Sequence, residues 1–305
     1  MPRTVSVPTE RELEAQKSLQ TFYTYIRAWR MLMPSEDELG RGQEALDSYR
    51  KLQGGAAVDR VRGPYLRGEL TLKLMKQLPL DRQPDLAASA NYWVPVQAYY
   101  AAHGYGLAVL NALGAGNPRD HRHFRSLLSD HGLGRLFPYP FNVLCAGDPL
   151  VQNECSVENC PAELAEILSV SNLAMPSEKN AAPLVGRSLF ATRKYFLREL
   201  FDRHRKDGKK REGISRRNLK QSDKRRLAKG LHATSFIDLL YRMRVRSNYD
   251  DPEMFIFGQT GEDVAVSHYR NLLDMVKGFA LLCGNVISRK IGRTDYEVLR
   301  ATATR

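Results

Sequence analysis

Apolar residues recur at helical spacing along most of this 305-residue chain, and this periodicity constrains the fold more than any other feature. The pattern is longest near the C-terminus, where it predicts a helix capped by Thr260 and running to about Lys290. No segment shows a strand pattern, and the sequence contains no internal repeat and no glycine-rich phosphate-binding motif. The sequence therefore predicts an all-α protein. The apolar positions of the last long helix are Val264, Tyr269, Leu272, Leu273, Val276, Phe279, Ala280, Cys283 and Ile287.

Two capping boxes mark helix starts near the N-terminus. Thr9 and Glu12 have the required spacing, and apolar residues then recur at helical intervals to about Met33. Ser35 and Glu38 repeat the spacing after Pro34 and predict a second helix over residues 39–52. These two helices are expected to lie antiparallel.

The middle of the chain predicts further helices of unequal length. A third pattern uses Leu66, Leu70, Leu74 and Leu78, and a long one covers residues 86–113 with Pro95 inside it. An interior proline costs on the order of 3 kcal/mol, so it should kink the helix or start a new one. Gly104 and Gly106 weaken the long helix further unless another backbone must approach it there. Shorter or later helices are predicted over 120–132, 163–168 and 184–204, with 138–161 as a loop-rich insertion.

The stretch 236–251, FIDLLYRMRVRSNYDD, combines one apolar face with a row of arginines. Its apolar residues fall at i, i+3, i+4 and i+7, which predicts a helix with one buried side. Pro252 disfavours helical geometry before it, so the helix should end at about Asp251. Three guanidiniums and a tyrosine hydroxyl then lie within two turns of a helix end. They either neutralise the helix dipole or hold a phosphate. These residues are Arg242, Arg244, Arg246 and Tyr249.

Most of the net charge of +12 lies in one block, residues 203–229, which holds 13 basic and 3 acidic residues and so carries +10. The block has almost no apolar residues and should be mobile when alone. Such a concentration is the electrostatic footprint of a nucleic-acid-binding protein, although a solvated linker has the same composition. Since it has no aromatic residues, any base stacking must come from elsewhere.

The sequence predicts a soluble, cytoplasmic protein without a cofactor. Its N-terminus has no apolar core for a signal peptide, and no run approaches the roughly 18 apolar residues of a membrane span. The four cysteines are too few for a disulfide framework. Cys283 falls on an apolar helix face. Cys145, Cys155 and Cys160 could take a metal with His131, but their spacing favours loop and packing roles.

Two motifs in this order resemble the HEPN superfamily of small helical bundles, which includes many prokaryotic ribonuclease toxins. The first is AYYAAH at 98–103 followed by NPRDH at 117–121, and the second is RVRSNYDD at 244–251. The resemblance covers about a third of the chain and implies a HEPN-like bundle made of residues 86–135 and 234–305. Residues 1–85 would be an N-terminal helical extension, and 136–233 a loop-rich and basic insertion.

Catalytic members of the superfamily cut RNA without a metal, with an arginine and a histidine brought together at a dimer interface. The resemblance implies Arg244 as the cation that stabilises phosphate charge and His103 or His121 as the proton acceptor. This chain departs from the pattern, because Val245 follows the arginine and Tyr249 replaces the histidine. Tyrosine is a poor base near neutral pH, so Tyr249 would instead donate its hydroxyl to a phosphate. The candidate catalytic residues are Arg244, Tyr249 and His103.

Three hypotheses follow from these observations. The first is a metal-independent, dimeric RNA-cleaving toxin or antiviral effector, with a regulatory partner chain as a further option. The second is a non-catalytic HEPN-like subunit that binds RNA, DNA or a partner protein, and the third is a structural helical protein. The candidate nucleic-acid-binding residues are Arg242, Arg246, Lys209, Lys210, Arg211, Arg216, Arg217, Lys224, Arg225 and Arg226.

Overall fold

Helices form most of the computed structural model, which describes residues 9–35, 38–39, 57–79, 83, 85–151, 154–209, 220–250, 254–255 and 261–304. None of the described helices is long and apolar enough to cross a membrane. The all-α class predicted from the sequence is confirmed. In chain order the helices are α1 (Glu10–Leu32), α2 (Val58–Lys76), α3 (Asp85–Leu113), α4 (His121–Leu128), α5 (Leu164–Ser169), α6 (Ala181–Lys209), α7 (Gln221–Lys229), α8 (Phe236–Val245), α9 (Glu262–Ile291) and α10 (Arg293–Thr304).

Two of the helices continue in a wider turn. After α4 the chain forms a π-helical turn, Ser129–Leu133, and a last helical turn, Gly134–Leu136. After α8 a second π-helical turn, Arg246–Asp250, carries the helix almost to its predicted end. The sequence did not predict α10, which follows α9 after Gly292 in a left-handed backbone conformation with φ of 90°.

The predicted capping boxes are confirmed. The Thr9 amide donates to the Glu12 carboxylate at 2.6 Å, and the Glu12 amide donates to Thr9 Oγ1 at 3.3 Å. In the second box the Ser35 amide donates to the Glu38 carboxylate at 2.8 Å, and the Glu38 amide donates to Ser35 Oγ at 3.3 Å. The helix predicted to follow them lies almost entirely outside the described residues. Thr260, the predicted cap of the last long helix, also lies outside the described residues, and Gly261 is the N-cap of α9.

The central helix α3 packs against α2 on one side and α9 on another. It is continuous through Pro95. Where it crosses α2, a methyl group on Gly104 would lie 2.6 Å from the Gly68 amide nitrogen and 2.9 Å from the Pro64 carbonyl oxygen. The two backbones are therefore in contact, which is the condition under which the sequence allowed a glycine at this position.

The buried face of α2 differs from the one predicted. Leu70 and Leu74 are 54% and 58% exposed, whereas Leu72 and Met75 are buried. The helical period is correct, but the stripe that faces the core is rotated because the small Gly68 has to face α3. Leucine spacing alone cannot report where a glycine permits backbone contact.

The region predicted to be only loops contains a two-stranded antiparallel hairpin, β1 (Leu144–Gly147) and β2 (Cys155–Glu158). Strands of four residues are too short to show alternation in the sequence. Arg193 of α6, 2% exposed, fixes the hairpin by donating to the carbonyls of Gly147 at 2.6 Å and His232 at 2.7 Å. The hairpin is thus joined to the segment that leads into α8.

The described part of the basic block is helical. Lys209 is the last residue of α6, and α7 rests on α6 through Ala228, which is packed against Leu197 and Phe201. The exposed side of α7 carries Arg225 and Arg226. Four predicted nucleic-acid-binding residues lie outside the described residues: Lys210, Arg211, Arg216 and Arg217.

The backbone contact between α2 and α3 makes a direct prediction. Gly104→Ala should lower the free energy of unfolding by about 1–3 kcal/mol, because the new methyl group meets backbone atoms of α2. The matched control is Gly63→Ala on the exposed face of α2, where a methyl group meets nothing within 4 Å. It should change the free energy of unfolding by less than about 1 kcal/mol, because the gain in helix propensity is offset by crowding between the new methyl group and the ring of Pro64. Urea unfolding measures both, and equal midpoints would contradict the close approach.

Candidate active site

Arg244 of α8 is enclosed by tyrosines. Its side chain is 8% exposed and donates to the Tyr100 hydroxyl at 3.0 Å. Its Cζ lies 5.0–5.8 Å from the ring centroids of Tyr99, Tyr100, Tyr241 and Tyr249. Its Nε has no hydrogen-bond partner among the described residues. Aromatic faces stabilise the guanidinium but leave its positive charge in place.

Two histidines lie in the same cluster. His121 Nδ1 is 2.8 Å from the Tyr99 hydroxyl oxygen, and the centroids of the two imidazole rings, His103 and His121, are 5.2 Å apart. The ring centroids of His103 and Phe124 are 4.3 Å apart. The structure therefore brings together the segments 98–103, 117–121 and 244–249, on which the HEPN resemblance depends.

Both histidines are neutral near pH 7. Burial, followed by charge repulsion from His121, Arg67 and Arg244, lowers the pKa of His103 to about 4. Burial, followed by the charge of Arg244, also lowers the pKa of His121 below its ordinary value of 6.5. A neutral imidazole can accept a proton, but a pKa of about 4 makes His103 a weak base near neutral pH.

A buried ion pair between Arg125 and Asp238 packs against the cluster. Asp238, 0% exposed, accepts hydrogen bonds from Arg125 Nη1, from the Ser235 amide at 2.9 Å and from Ser235 Oγ at 3.0 Å, and its Oδ1 lies 2.9 Å from His232 Nε2. Burial alone would raise the pKa of Asp238, but His232 and Arg125 hold it below the ordinary range. The carboxylate is therefore charged and paired.

Arg125 connects this pair to the proposed base. Its Nε donates to the His121 carbonyl at 3.2 Å, and its guanidinium lies 4.1 Å from the centroid of the Tyr241 ring. Sequence reasoning missed both members of the pair. The Ser235–Asp238 spacing is a capping-box signal for Asp238, whereas nothing in the sequence marks Arg125.

The three arginines of α8 and its π-helical turn do not form one group. Arg242 donates to Thr192 Oγ1 at 3.3 Å, and the guanidiniums of Arg242 and Arg246 lie 5.1 and 5.7 Å from the Phe22 ring centroid. Burial, then Arg246, lowers the pKa of Arg242 to about 10. Positions i and i+4 share a helix face and position i+2 does not, so Arg244 faces Tyr99, Tyr100, Tyr241 and Tyr249, whereas Arg242 lies over Phe22 and Tyr195.

Tyr249 is the most exposed tyrosine of the cluster, and Tyr100 follows it at 39%. It lies on the π-helical turn after α8, and its ring is 68% exposed. Its neighbour Asp250 accepts a hydrogen bond from Tyr195 of α6, which ties the turn to the rest of the molecule. Tyr249 therefore offers far more of its surface to solvent than Arg244, which is 8% exposed.

A separate cleft of about 440 Å³ lies beside the start of α4. It is lined there by Arg119, Asp120, Arg122, His123 and Ser126, and after α7 by Gly230 and His232. Arg122 closes one side by donating to the Gly230 carbonyl at 3.1 Å. Of the exposed basic residues of α7, Arg225 lies 3.8 Å from the Glu154 carboxylate.

The cysteines lie away from these groups. Cys145 and Cys155 are buried in the hairpin with their Sγ atoms 3.7 Å apart, Cys160 contacts the Ala182 carbonyl, and Cys283 is in the core. In the part of the chain that the structure describes, no three His, Cys, Asp or Glu side chains group as metal ligands would.

Comparison with known proteins adds no assignment. No family model, curated protein or solved structure matches this chain. The class that the fold and site define is an α-helical protein with a clustered arginine, tyrosines and neutral histidines. Membership of the HEPN superfamily stays a prediction.

The buried His103 makes stability depend on pH. Because its folded pKa of about 4 lies below the ordinary 6.5, the unfolded chain binds its proton first, and stability falls as pH falls from 6.5 to 4. The loss is about 3 kcal/mol for this residue. In His103→Phe the fall in unfolding free energy over this window should be smaller by that amount. Chemical denaturation at several pH values measures it, with the exposed His131→Gln as control. Parallel pH profiles for wild type and His103→Phe would contradict the shift.

Proposed function

We propose that this protein is a metal-independent endoribonuclease of the HEPN type. The observation that supports this best is the cluster in which Arg244 and the accessible Tyr249 lie beside the neutral His121 and His103. The cluster joins a fixed cation, a hydroxyl donor and a proton acceptor, which are the three groups that cleavage of RNA at a phosphodiester requires.

The proposed reaction uses the ribose 2′-hydroxyl as nucleophile. A neutral imidazole, His121 or His103, takes the 2′-hydroxyl proton as the 2′-oxygen forms a bond to the adjacent phosphorus. The bond to the 5′-oxygen breaks, that oxygen takes a proton from water, and the products are a 2′,3′-cyclic phosphate and a 5′-hydroxyl. Arg244 stabilises the charge that grows on the phosphate oxygens, and the Tyr249 hydroxyl donates a hydrogen bond to one of them.

RNA is the polyanion that the charge distribution fits under this proposal. The cleft beside α4 and the exposed basic residues of α7 would contact the phosphates that flank the cut. The resemblance further implies that two copies of the chain share the site. A homodimer would bring a second Arg244 and Tyr249 to the exposed side of the cluster.

Cleavage in the presence of EDTA tests the enzyme. Purified wild-type protein should cut mixed RNA with the chelator present, and Arg244→Ala should lower kcat by about 10²–10³-fold because it removes the cation from the transition state. Tyr249→Phe should lower it by about tenfold through loss of one hydrogen bond. Gel analysis of end-labelled RNA measures both.

Arg293→Ala is the matched control, since its side chain is 89% exposed on α10 and pairs only locally with Glu297. It removes the same charge and should leave kcat unchanged. Circular dichroism checks that each variant is folded. RNA left intact by folded wild-type protein, or equal cleavage by Arg244→Ala, would contradict the proposal.

A second candidate function is non-catalytic binding of nucleic acid, by this chain alone or with a partner. The enclosure of Arg244 and the tyrosine in place of a histidine favour it, because binding needs no general base. RNA that stays intact but shifts on a gel would support this candidate.

Both candidates predict that α7 contacts phosphates. Changing Lys224, Arg225 and Arg226 together to Gln should lower the slope of log K against log salt by about 2, because three fewer counterions are released. The matched control changes three exposed basic residues on α1 and α10 to Gln: Lys17, Arg293 and Arg300. Fluorescence anisotropy with labelled RNA at several salt concentrations measures the slope. Equal slopes for the two triple variants would show that α7 makes no specific contact.

A further inference from the structure

Aromatic residues with large exposed surface occur in one region of this structure. Only three of the aromatic residues that the structure describes are more than a third exposed: Tyr249 at 68%, Trp93 at 55% and Tyr100 at 39%. Large rings usually contribute to a core, and exposed rings that share one region indicate a binding surface. The candidate active site accounts for Tyr100 and Tyr249, whereas Trp93 has no role in it.

Trp93 and Tyr100 share one face of α3. They are seven positions apart, which is two helical turns, so their Cα atoms lie on the same side of the helix about 10 Å apart. Val94 and Ala98, which lie between them in the sequence, are buried against the core. The solvent-facing side of a helix is normally polar, but here it carries two aromatic rings.

This aromatic face continues into the candidate active site. Arg244 donates to the Tyr100 hydroxyl at 3.0 Å, and its Cζ lies 5.0 Å from the Tyr100 ring centroid and 5.8 Å from that of Tyr249. A stacked nucleic-acid strand advances about 3.4 Å per nucleotide, so a few nucleotides span the distance from Tyr100 to Trp93. A strand with one phosphate at Arg244 can therefore bring a nearby base to Trp93.

The kind of side chain and the net charge decide what binds to this face. Indole and phenol rings stack on nucleobases, whose flat faces are available in a single strand. The basic block 203–229 contains no aromatic residue, so a nucleic acid held there needs stacking partners elsewhere. A second copy of the chain carries the same net charge of +12, and charge therefore favours a polyanion over a second copy.

The ring of Trp93 is oriented by a neighbouring aromatic residue. Its centroid lies 5.6 Å from that of Tyr92 with an angle of 87° between the planes, and Tyr92 contacts the buried Phe255 at 6.3 Å. A ring held in this way loses little conformational entropy when another ring stacks on it. Trp93 is thus both exposed and positioned.

We propose that Trp93 and Tyr100 form a stacking surface for unpaired nucleobases, so that the nucleic acid bound at Arg244 is single-stranded where it crosses α3. Bases in a duplex already stack on each other, and the surface therefore selects single strands. Every base has an aromatic face, so the selection depends little on sequence. The inference rests on the proposed function in that nucleic acid is the partner, but it does not require cleavage.

Binding of a deoxythymidine strand of about 12 nucleotides to the full chain tests the proposal. The control is an abasic strand of the same length and charge. Neither strand has a 2′-hydroxyl, so the proposed cleavage cannot occur and binding is measured alone. In fluorescence anisotropy at low salt, wild-type protein should bind the thymidine strand at least fivefold more tightly than the abasic strand. Equal Kd values, or no binding of the thymidine strand, would overturn the proposal.

Two substitutions of Trp93 separate stacking from simple apolar contact. Trp93→Leu keeps an apolar side chain but removes the ring, and it should weaken binding of the thymidine strand at least fivefold while leaving the abasic strand unaffected. Trp93→Phe keeps a ring and should retain most of the affinity. Leu70→Ala on α2, at a position 54% exposed, is the control and should bind as wild type does. Unchanged binding in Trp93→Leu, or equal losses in Trp93→Leu and Trp93→Phe, would contradict stacking.

Tryptophan fluorescence reports the contact directly. The chain has two tryptophans, and Trp29 is buried with its Nε1 donating to Ser188 Oγ at 2.9 Å. The thymidine strand should therefore quench the emission of Trp93 in wild-type protein and leave the emission of Trp93→Phe unchanged. A duplex of the same length should not quench it. Unchanged emission when the thymidine strand is saturating would overturn the proposal.

Two further measurements separate this inference from the proposed function. Chelator-resistant cleavage of RNA by wild-type protein, together with equal binding of the thymidine and abasic strands, would overturn the stacking surface and keep the ribonuclease. Quenching of Trp93 without any cleavage would keep the stacking surface and support the non-catalytic candidate. Sedimentation analysis tests the alternative occupant, because a wild-type dimer that becomes a monomer in Trp93→Leu would assign this face to a second copy and overturn the proposal.

Discussion

The charged carboxylate of Asp238, buried without exposure at the start of α8, is the constraint on which the site depends. A buried charge is tolerated only when it is paired and hydrogen-bonded, and here Arg125, His232 and Ser235 all contact it. Because those groups come from α4, from the segment after α7 and from the cap of α8, the pairing joins three parts of the chain. Arg125 also holds the His121 carbonyl, so the position of the proposed base follows from satisfying a charge in the core.

Arg244 illustrates a different way to bury a cation. Its contacts are aromatic faces and one hydroxyl, and among the described residues it has no carboxylate partner. A carboxylate would neutralise the guanidinium, whereas tyrosine rings stabilise it and leave its charge free to attract an anion. Arg125 and Arg193 show the contrast, since a carboxylate pairs with the first and carbonyl oxygens surround the second. Of these three, Arg244 is the one whose environment suits an incoming phosphate.

The sequence could predict features that depend on residues a few positions apart. It could not predict features that depend on contacts between distant segments. The cap at Thr9 and the apolar face of α8 follow from residues a few positions apart, and both are found in the structure. The exposure of Leu70 follows from the meeting of Gly68 with α3, which no spacing reports. The same distinction holds for the candidate site. Arg244 could be chosen from a motif, but its separation from Arg242 and the pairing of Arg125 with Asp238 depend on which helices lie alongside α8.

Phosphate binding and proton transfer would depend differently on pH, because they use different side chains. Lysine and arginine carry the basic charge of residues 203–229, so the attraction for phosphates stays constant across neutral pH. A proton acceptor at His121 or His103 is lost only as pH falls below 6.5 and the rings become charged, because burial lowers the pKa of each. In an enzyme built this way, cleavage declines on acidification while RNA stays bound. In a binding protein with the same residues nothing declines, and the added positive charge beside Arg244 strengthens the contact with phosphate.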